Sequence, residues 1–264
     1  MFKKNSPAVA ASVLVLVILA LVAFAGCSNK AHKAAAIEKY GADKLKLYIP
    51  GEYMSDTLIP DFEKKFGVKV IVEYFDSNEM MYAKVQAGDK YDVLVPSDYM
   101  IERLLKQKML QPLDRKVITN MGQLSKSVLN LSYDPDNTYS VPYFWGTVGI
   151  VYNKTKVDAD DLRQSGYGIF HNTKYAGRLY WYDSERDSFM AALKNLGYSV
   201  NTENEEEISR ANDWLLKMND TMDPTYVTDE VIDAMTNGIK DLAIVYSGDA
   251  VTIINENKDM GYFM

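Results

Sequence analysis

Three strand-then-helix repeats follow one another from Lys44, and few folds accept that order. KLKLYIP is a short strand pattern. SDTLIPDFEKKFG then carries Leu58, Ile59, Phe62 and Phe66 at helical spacing, with Gly67 as a stop. VKVIVEY is β-branched and strand-like. SNEMMYAKVQAG reads as a helix, with Ser77 as N-cap and Gly88 past its end. YDVLVPS reads as a buried strand and DYMIERLLKQ as a helix. Successive βα units build an open, mostly parallel sheet, because a parallel neighbour needs a crossover.

Residues 107–140 are mixed, with turn chemistry at DPDN. A different stretch follows, VPYFWGTVGIVYNK at 141–154. A plain core strand does not need Tyr143, Phe144 and Trp145 beside Gly146. Beyond this corner the alternation resumes. TVGIVYN, GRLYWYD and DLAIVYS read as strands. SERDSFMAALKNLG, TDEVIDAMTNG and GDAVTIINEN read as helices. Thr202 and Glu205 have the spacing of a capping box ahead of Ile208, Ala211, Leu215 and Met218. MGYFM starts a further strand, for which no partner follows. The expected organisation is two α/β lobes, 44–143 and 144–264.

The first 26 residues carry Lys3 and Lys4, no acid, and an uncharged, mostly apolar run from Ala8 to Ala25. This is the layout of an export signal. The single cysteine, Cys27, follows Ala25-Gly26 and is the candidate lipidation site of a lipoprotein signal peptide. An uncleaved membrane anchor is the alternative, since the run is long enough to span. Either reading places the rest of the chain outside the cytoplasm, tethered to the membrane. Residues 27–43 are polar and Ala-rich and read as a flexible tether. With no other cysteine, stability must come from the core. The formal net charge of -7 repels phosphate backbones, so nucleic acid is an unsuitable partner.

In open parallel sheets, ligands bind outside the carboxyl ends of the strands. After the first strand come Glu52 and Tyr53. After the third come Ser97, Asp98 and Tyr99. In the second half come Asp183, Ser184 and Asp187, then Tyr246 and Asp249. Each end offers an aromatic ring and a carboxylate; Arg186 is the one base nearby. Ring faces attract an ammonium by about 0.5–2 kcal/mol, depending on desolvation. Carboxylates add charge-assisted hydrogen bonds. The chemistry suits an organic cation with an alkyl stem. Asp98, Ser184 and Asp249 each precede or open a helix, so capping accounts for any one of them alone. Four strand ends sharing one chemistry is the stronger observation.

The motifs YFDSNEMMYAKV, YDVLVPSDYM, VPYFWGTVGIVYN, YDSERDSFMAALKNLGYS and AIVYSGDA together resemble the solute-binding component of bacterial spermidine/putrescine ABC transporters. The likeness runs from about Lys46 to the last residue. It implies a type II flytrap that closes on a polyamine and delivers it to permease subunits, as a monomer and with neither cofactor nor metal. Carried over residue by residue, it implies amine contacts at Glu52, Tyr53, Ser97, Tyr99, Asp187, Tyr246 and Asp249, with Trp145 walling the cleft floor. Ser184 stands where some members carry an acid. SGYG around residue 166 stands where the family usually has Trp. The likeness stops at GYFM where family members continue, so it implies a C-terminally truncated chain lacking a further aromatic-x-Asp contact.

Other classes fit less well. A hydrolase could use Ser97 or Ser247, but no G-x-S-x-G is present and His171 is the only histidine in the folded part. A binder of Fe(III) could draw on the tyrosines, and a sugar binder on the rings. An anion binder is opposed by the acids. A purely structural surface lipoprotein is the remaining alternative.

Overall fold

The computed structural model describes residues 33–264. The signal segment, Cys27 and His32 lie outside the described residues. Two compact units result, the first ending at Ser97 and the second running from Asp98 to Met264. The expected boundary at residue 143 thus moves back to Ser97, since 107–140 group with the second unit.

In the first unit, residues 33–40 form helix α1, where a flexible tether is expected. Ala and Lys are strong helix formers, and Gly41 (φ 77°) ends the helix through a 2.9 Å bond from its N–H to the Ile37 carbonyl. Ala36 is buried and Tyr40 packs edge-on against Phe66. Strand β1 (Lys44–Pro50) pairs in parallel with β2 (Lys69–Phe75), Lys44 opposite Lys69 and Pro50 opposite Phe75. Strand β3 (Val93–Leu94) pairs on the other side of β1, giving the order β2-β1-β3. Helices α2 (Leu58–Phe66) and α3 (Asn78–Gln86) connect them. Ser77 caps α3, accepting the Met80 N–H at 3.1 Å.

β3 is much shorter than the buried strand expected of YDVLVPS, and Val93 is exposed. The Asp92 side chain takes the Lys46 N–H at 2.7 Å, where a strand would use a backbone carbonyl. Pro96 then has no N–H to continue the ladder.

The second unit opens with α4 (Asp98–Lys106), which buries Met100 and Leu104, one turn apart. The DPDN turn is organised by one side chain. Asp134, 4% exposed, accepts the N–H groups of Thr138, Tyr139 and Ser140 and the Ser140 hydroxyl, all within 3.0 Å.

The five-stranded sheet runs β6-β5-β7-β4-β8. β5 (Leu179–Tyr182), β6 (Thr225–Val227) and β7 (Leu242–Tyr246) are parallel. β4 (Val148–Asn153) is antiparallel to β7 and to β8 (Met260–Phe263). MGYFM therefore has a partner after all. Helices α5 (Ala159–Ser165), α6 (Glu185–Asn195), α7 (Glu205–Met222), α8 (Glu230–Thr236) and α9 (Ser247–Glu256) cover it. Alternation sorts the side chains. Leu242 and Ile244 join Phe170, Trp181 and Met218 on one face, while Ala243 and Val245 join Val231, Met235 and Ile253 on the other. Both faces are buried, which is why LAIVY is an unbroken apolar run.

One detail departs from the pattern. The cap of α7 is Asn204, whose Oδ1 accepts the N–H groups of Glu206 and Glu207; Thr202 instead donates to Glu207 Oε2 at 2.5 Å. The FHNTKY segment lies in 3-10 turns, with His171 packed 4.3 Å from the Trp214 ring.

Candidate functional site

The carboxyl ends of β5 and β7 lie side by side, next to the start of β4. Tyr182 closes β5 and Tyr246 closes β7. Their rings meet edge to face, 5.2 Å apart at 75°. The Tyr246 hydroxyl donates to Asp187 Oδ2 at 2.6 Å, a short charge-assisted bond. Asp187 sits in the first turn of α6 and its N–H donates to the Ser184 hydroxyl at 3.3 Å. Ser184 thus performs the capping role.

Asp249, in the first turn of α9, is pushed up to about 6. Burial is the main cause, the Asp229 charge adds to it, and a backbone hydrogen bond at Tyr246 opposes it. The Tyr262 phenol is pushed up by burial, with Asp249 adding to the rise. Asp183 is exposed; its N–H donates to the Val227 carbonyl at 2.9 Å. Tyr226 is pushed up by burial and by Asp183. Among the described residues, no Lys or Arg forms an ion pair with Asp183, Asp187 or Asp249. An unneutralised group of carboxylates among tyrosine rings can hold an organic cation.

Tyr167 is a contributor that sequence reasoning missed. Its hydroxyl donates to the Val148 carbonyl at 2.9 Å. Burial pushes it up to about 12, with Tyr262 and Asp187 adding, so the ring stands near Asp187. It occupies the SGYG stretch where the family resemblance calls for Trp; an aromatic between two glycines was the available signal. Tyr182, Tyr226 and Asp229 were missed too, the last two because β6 was not recognised in the short TYV run.

The aromatic corner is largely exposed. Trp145 is 79% exposed and Phe144 63%, the latter stacked on Tyr143 at 4.2 Å. The two glycines of this motif have a clear cause. A Cβ on Gly146 would stand 2.8 Å from the Ser247 hydroxyl, and one on Gly149 only 2.5 Å from the Phe263 carbonyl oxygen. The corner is tied to the end of β7, with Ser247 N–H donating to the Thr147 carbonyl at 2.8 Å.

Asp98 and Tyr99 open α4, where Asp98 Oδ1 accepts the Tyr99 N–H at 2.7 Å. The Arg186 guanidinium lies 5.8 Å from the centre of the Tyr99 ring. In the first unit, Ser97 exchanges two bonds with Asn78, at 3.0 and 3.1 Å. Glu52 is exposed and holds a left-handed backbone (φ 54°), uncommon for a side chain of its kind, and Tyr53 beside it is half-buried. A hollow of about 290 Å³ on another side of Tyr167 is lined by Ile150, Tyr167, Lys194, Asn195 and Phe263 among others. Its side chains include Lys194 and no carboxylate, so it is unsuited to a cation.

Among the described residues, no group of three or more His, Cys, Asp or Glu is placed to hold a metal ion. Nor is any described helix long and apolar enough to cross a membrane.

Comparison with known proteins shows the family. A spermidine/putrescine-binding periplasmic protein of Salmonella typhimurium is 34% identical over 210 residues, 79% of this chain and 60% of the relative. The chain thus spans less than two thirds of that relative's length. A solved structure from Listeria monocytogenes, provisionally assigned as a spermidine/putrescine ABC transporter, matches with TM-score 0.77 and 33% identity. That match covers 84% of this chain and 68% of the other. A lipoprotein of Treponema pallidum matches with TM-score 0.71 and 30% identity, over 84% and 70%. Residues 57–264 match the family model of the bacterial extracellular solute-binding proteins, and the chain belongs to that family.

Proposed function

We propose that the chain binds a polyamine of the putrescine/spermidine class outside the cytoplasm and hands it to an ABC transporter permease, without chemical turnover. The observation that carries this reading is the Tyr246–Asp187 pair. A carboxylate oriented by a phenol, free of any Lys or Arg partner and flanked by the Tyr182 ring, is built to receive a cation from outside. An ammonium placed there gains a charge-assisted bond to Asp187 and a ring face, while its methylene stem lies on tyrosine. Asp249 supplies a second carboxylate, beside Tyr262. Glu52, Tyr53, Ser97, Asp98, Tyr99 and Asp183 are proposed as further ligand contacts. The names of relatives at 30% identity and above support the same ligand class.

A lipid anchor at Cys27 is proposed from the signal pattern, and the Treponema lipoprotein supports it. Isothermal calorimetry of the chain with putrescine, spermidine and an amino-acid control tests the ligand class. Saturable heat is expected for the two amines and none for the control. Equal or absent heats for all three would end the proposal.

A further inference from the structure

Among the described residues a cation, Arg186, stands against one of the proposed contacts, Tyr99. Arg186 stands in the first turn of α6, between Glu185 and Asp187. Its guanidinium does not pair with a carboxylate. Nη1 donates to the Val200 carbonyl at 3.0 Å and Nη2 to Asn201 Oδ1 at 2.5 Å. Both partners are uncharged oxygens, so the full positive charge persists and is fixed in place. The same guanidinium lies 5.8 Å from the centre of the Tyr99 ring. Tyr99 is one of the rings expected to receive an ammonium. It already faces a resident cation, whereas Asp187 forms no ion pair among the described residues.

Resting on the polyamine reading above, we propose that Arg186 is a specificity-determining residue. Its anchored charge substitutes for an ammonium at Tyr99, and so favours a short diamine over a triamine with one more positive charge. The third ammonium of a triamine would have to share the Tyr99 neighbourhood with the guanidinium. An ammonium on the same ring would feel the guanidinium, which lies 5.8 Å from the ring centre, and in a partly wet site that repulsion changes affinity about three- to tenfold. Asn201 and Val200 hold the guanidinium from the far side, so it is not free to withdraw and pair with a carboxylate instead.

Calorimetry of the full chain with putrescine and spermidine tests this, comparing wild type with Arg186→Gln, Arg186→Met and Arg186→Lys. The quantity read is the ratio of spermidine to putrescine affinity. Removing the charge, by either Gln or Met, is expected to raise that ratio about three- to tenfold. Lys keeps the charge and is expected to keep the wild-type ratio. Raising the salt concentration should narrow the difference between wild type and Arg186→Gln, which a packing role would not do. An unchanged ratio in both Gln and Met variants, with wild type binding both amines, overturns the proposal and leaves the polyamine reading standing. A Lys variant shifted as far as Gln overturns it also, since shape rather than charge would then be responsible. Wild type binding neither amine overturns both.

Discussion

Replacing Asp249 by Asn should stabilise the chain without ligand, by an amount that grows from about pH 4 and is complete above about pH 6. The carboxyl is raised from the ordinary aspartate value of about 4 to about 6, because burial disfavours its charged form and Asp229 repels it. The folded state therefore holds this proton more tightly than the unfolded state. Between about pH 4 and 6 stability falls as pH rises, and above that window the whole penalty is present. At about 1.4 kcal/mol per pH unit the penalty is about 3 kcal/mol. Asn has the same shape and no charge to desolvate, so it removes the penalty at pH 7.5 and changes little at pH 4. The assay is urea unfolding followed by tryptophan fluorescence. Trp145, Trp181 and Trp214 all belong to the second unit, so the signal reports the unit that contains Asp249. An equal gain at pH 4 and 7.5, or none at 7.5, would refute the reasoning. On the proposal that Asp249 receives an ammonium, ligand binding should release a proton near pH 6 and weaken below it.

Two further substitutions test the frame around the site. Asp134→Ala strands three N–H groups and a hydroxyl around a buried acceptor, and should cost about 3–5 kcal/mol in the same unfolding assay; a loss under about 1 kcal/mol would show that the 134–140 turn does not depend on it. Gly149→Ala drives a methyl to 2.5 Å from the Phe263 carbonyl oxygen, so β8 must move away from β4. A cost of about 1–3 kcal/mol is expected, with earlier hydrogen exchange in Met260–Phe263; unchanged exchange there would contradict the close approach.

Much of this fold is legible in residue order because strand and helix periods are unambiguous over LAIVY, KVIVEYF and DYMIERLLK. That Asp187 and Tyr246 lie together could be expected before any coordinates, since strand ends of a parallel sheet converge. What stayed hidden has physical reasons. β3 looked long because an apolar run does not reveal that Asp92 replaces a backbone acceptor. β6 is only three residues, too short for a period. Tyr167 lies 79 residues from Tyr246 and far from any strand end in sequence, and only the 3-10 turns after α5 bring it to Val148. The partner of MGYFM was unforeseen because an antiparallel neighbour can lie far back in the chain, here at β4.

Equilibrium dialysis of labelled putrescine against wild type and Asp187→Asn, side by side, goes to the centre of the account. The substitution keeps the shape beside Tyr246 and removes the charge. Loss of a charge-assisted bond predicts binding weaker by about 10- to 100-fold in the variant, with wild type saturating. Equal binding by the two proteins would mean that the Tyr246–Asp187 pair is not where the amine sits.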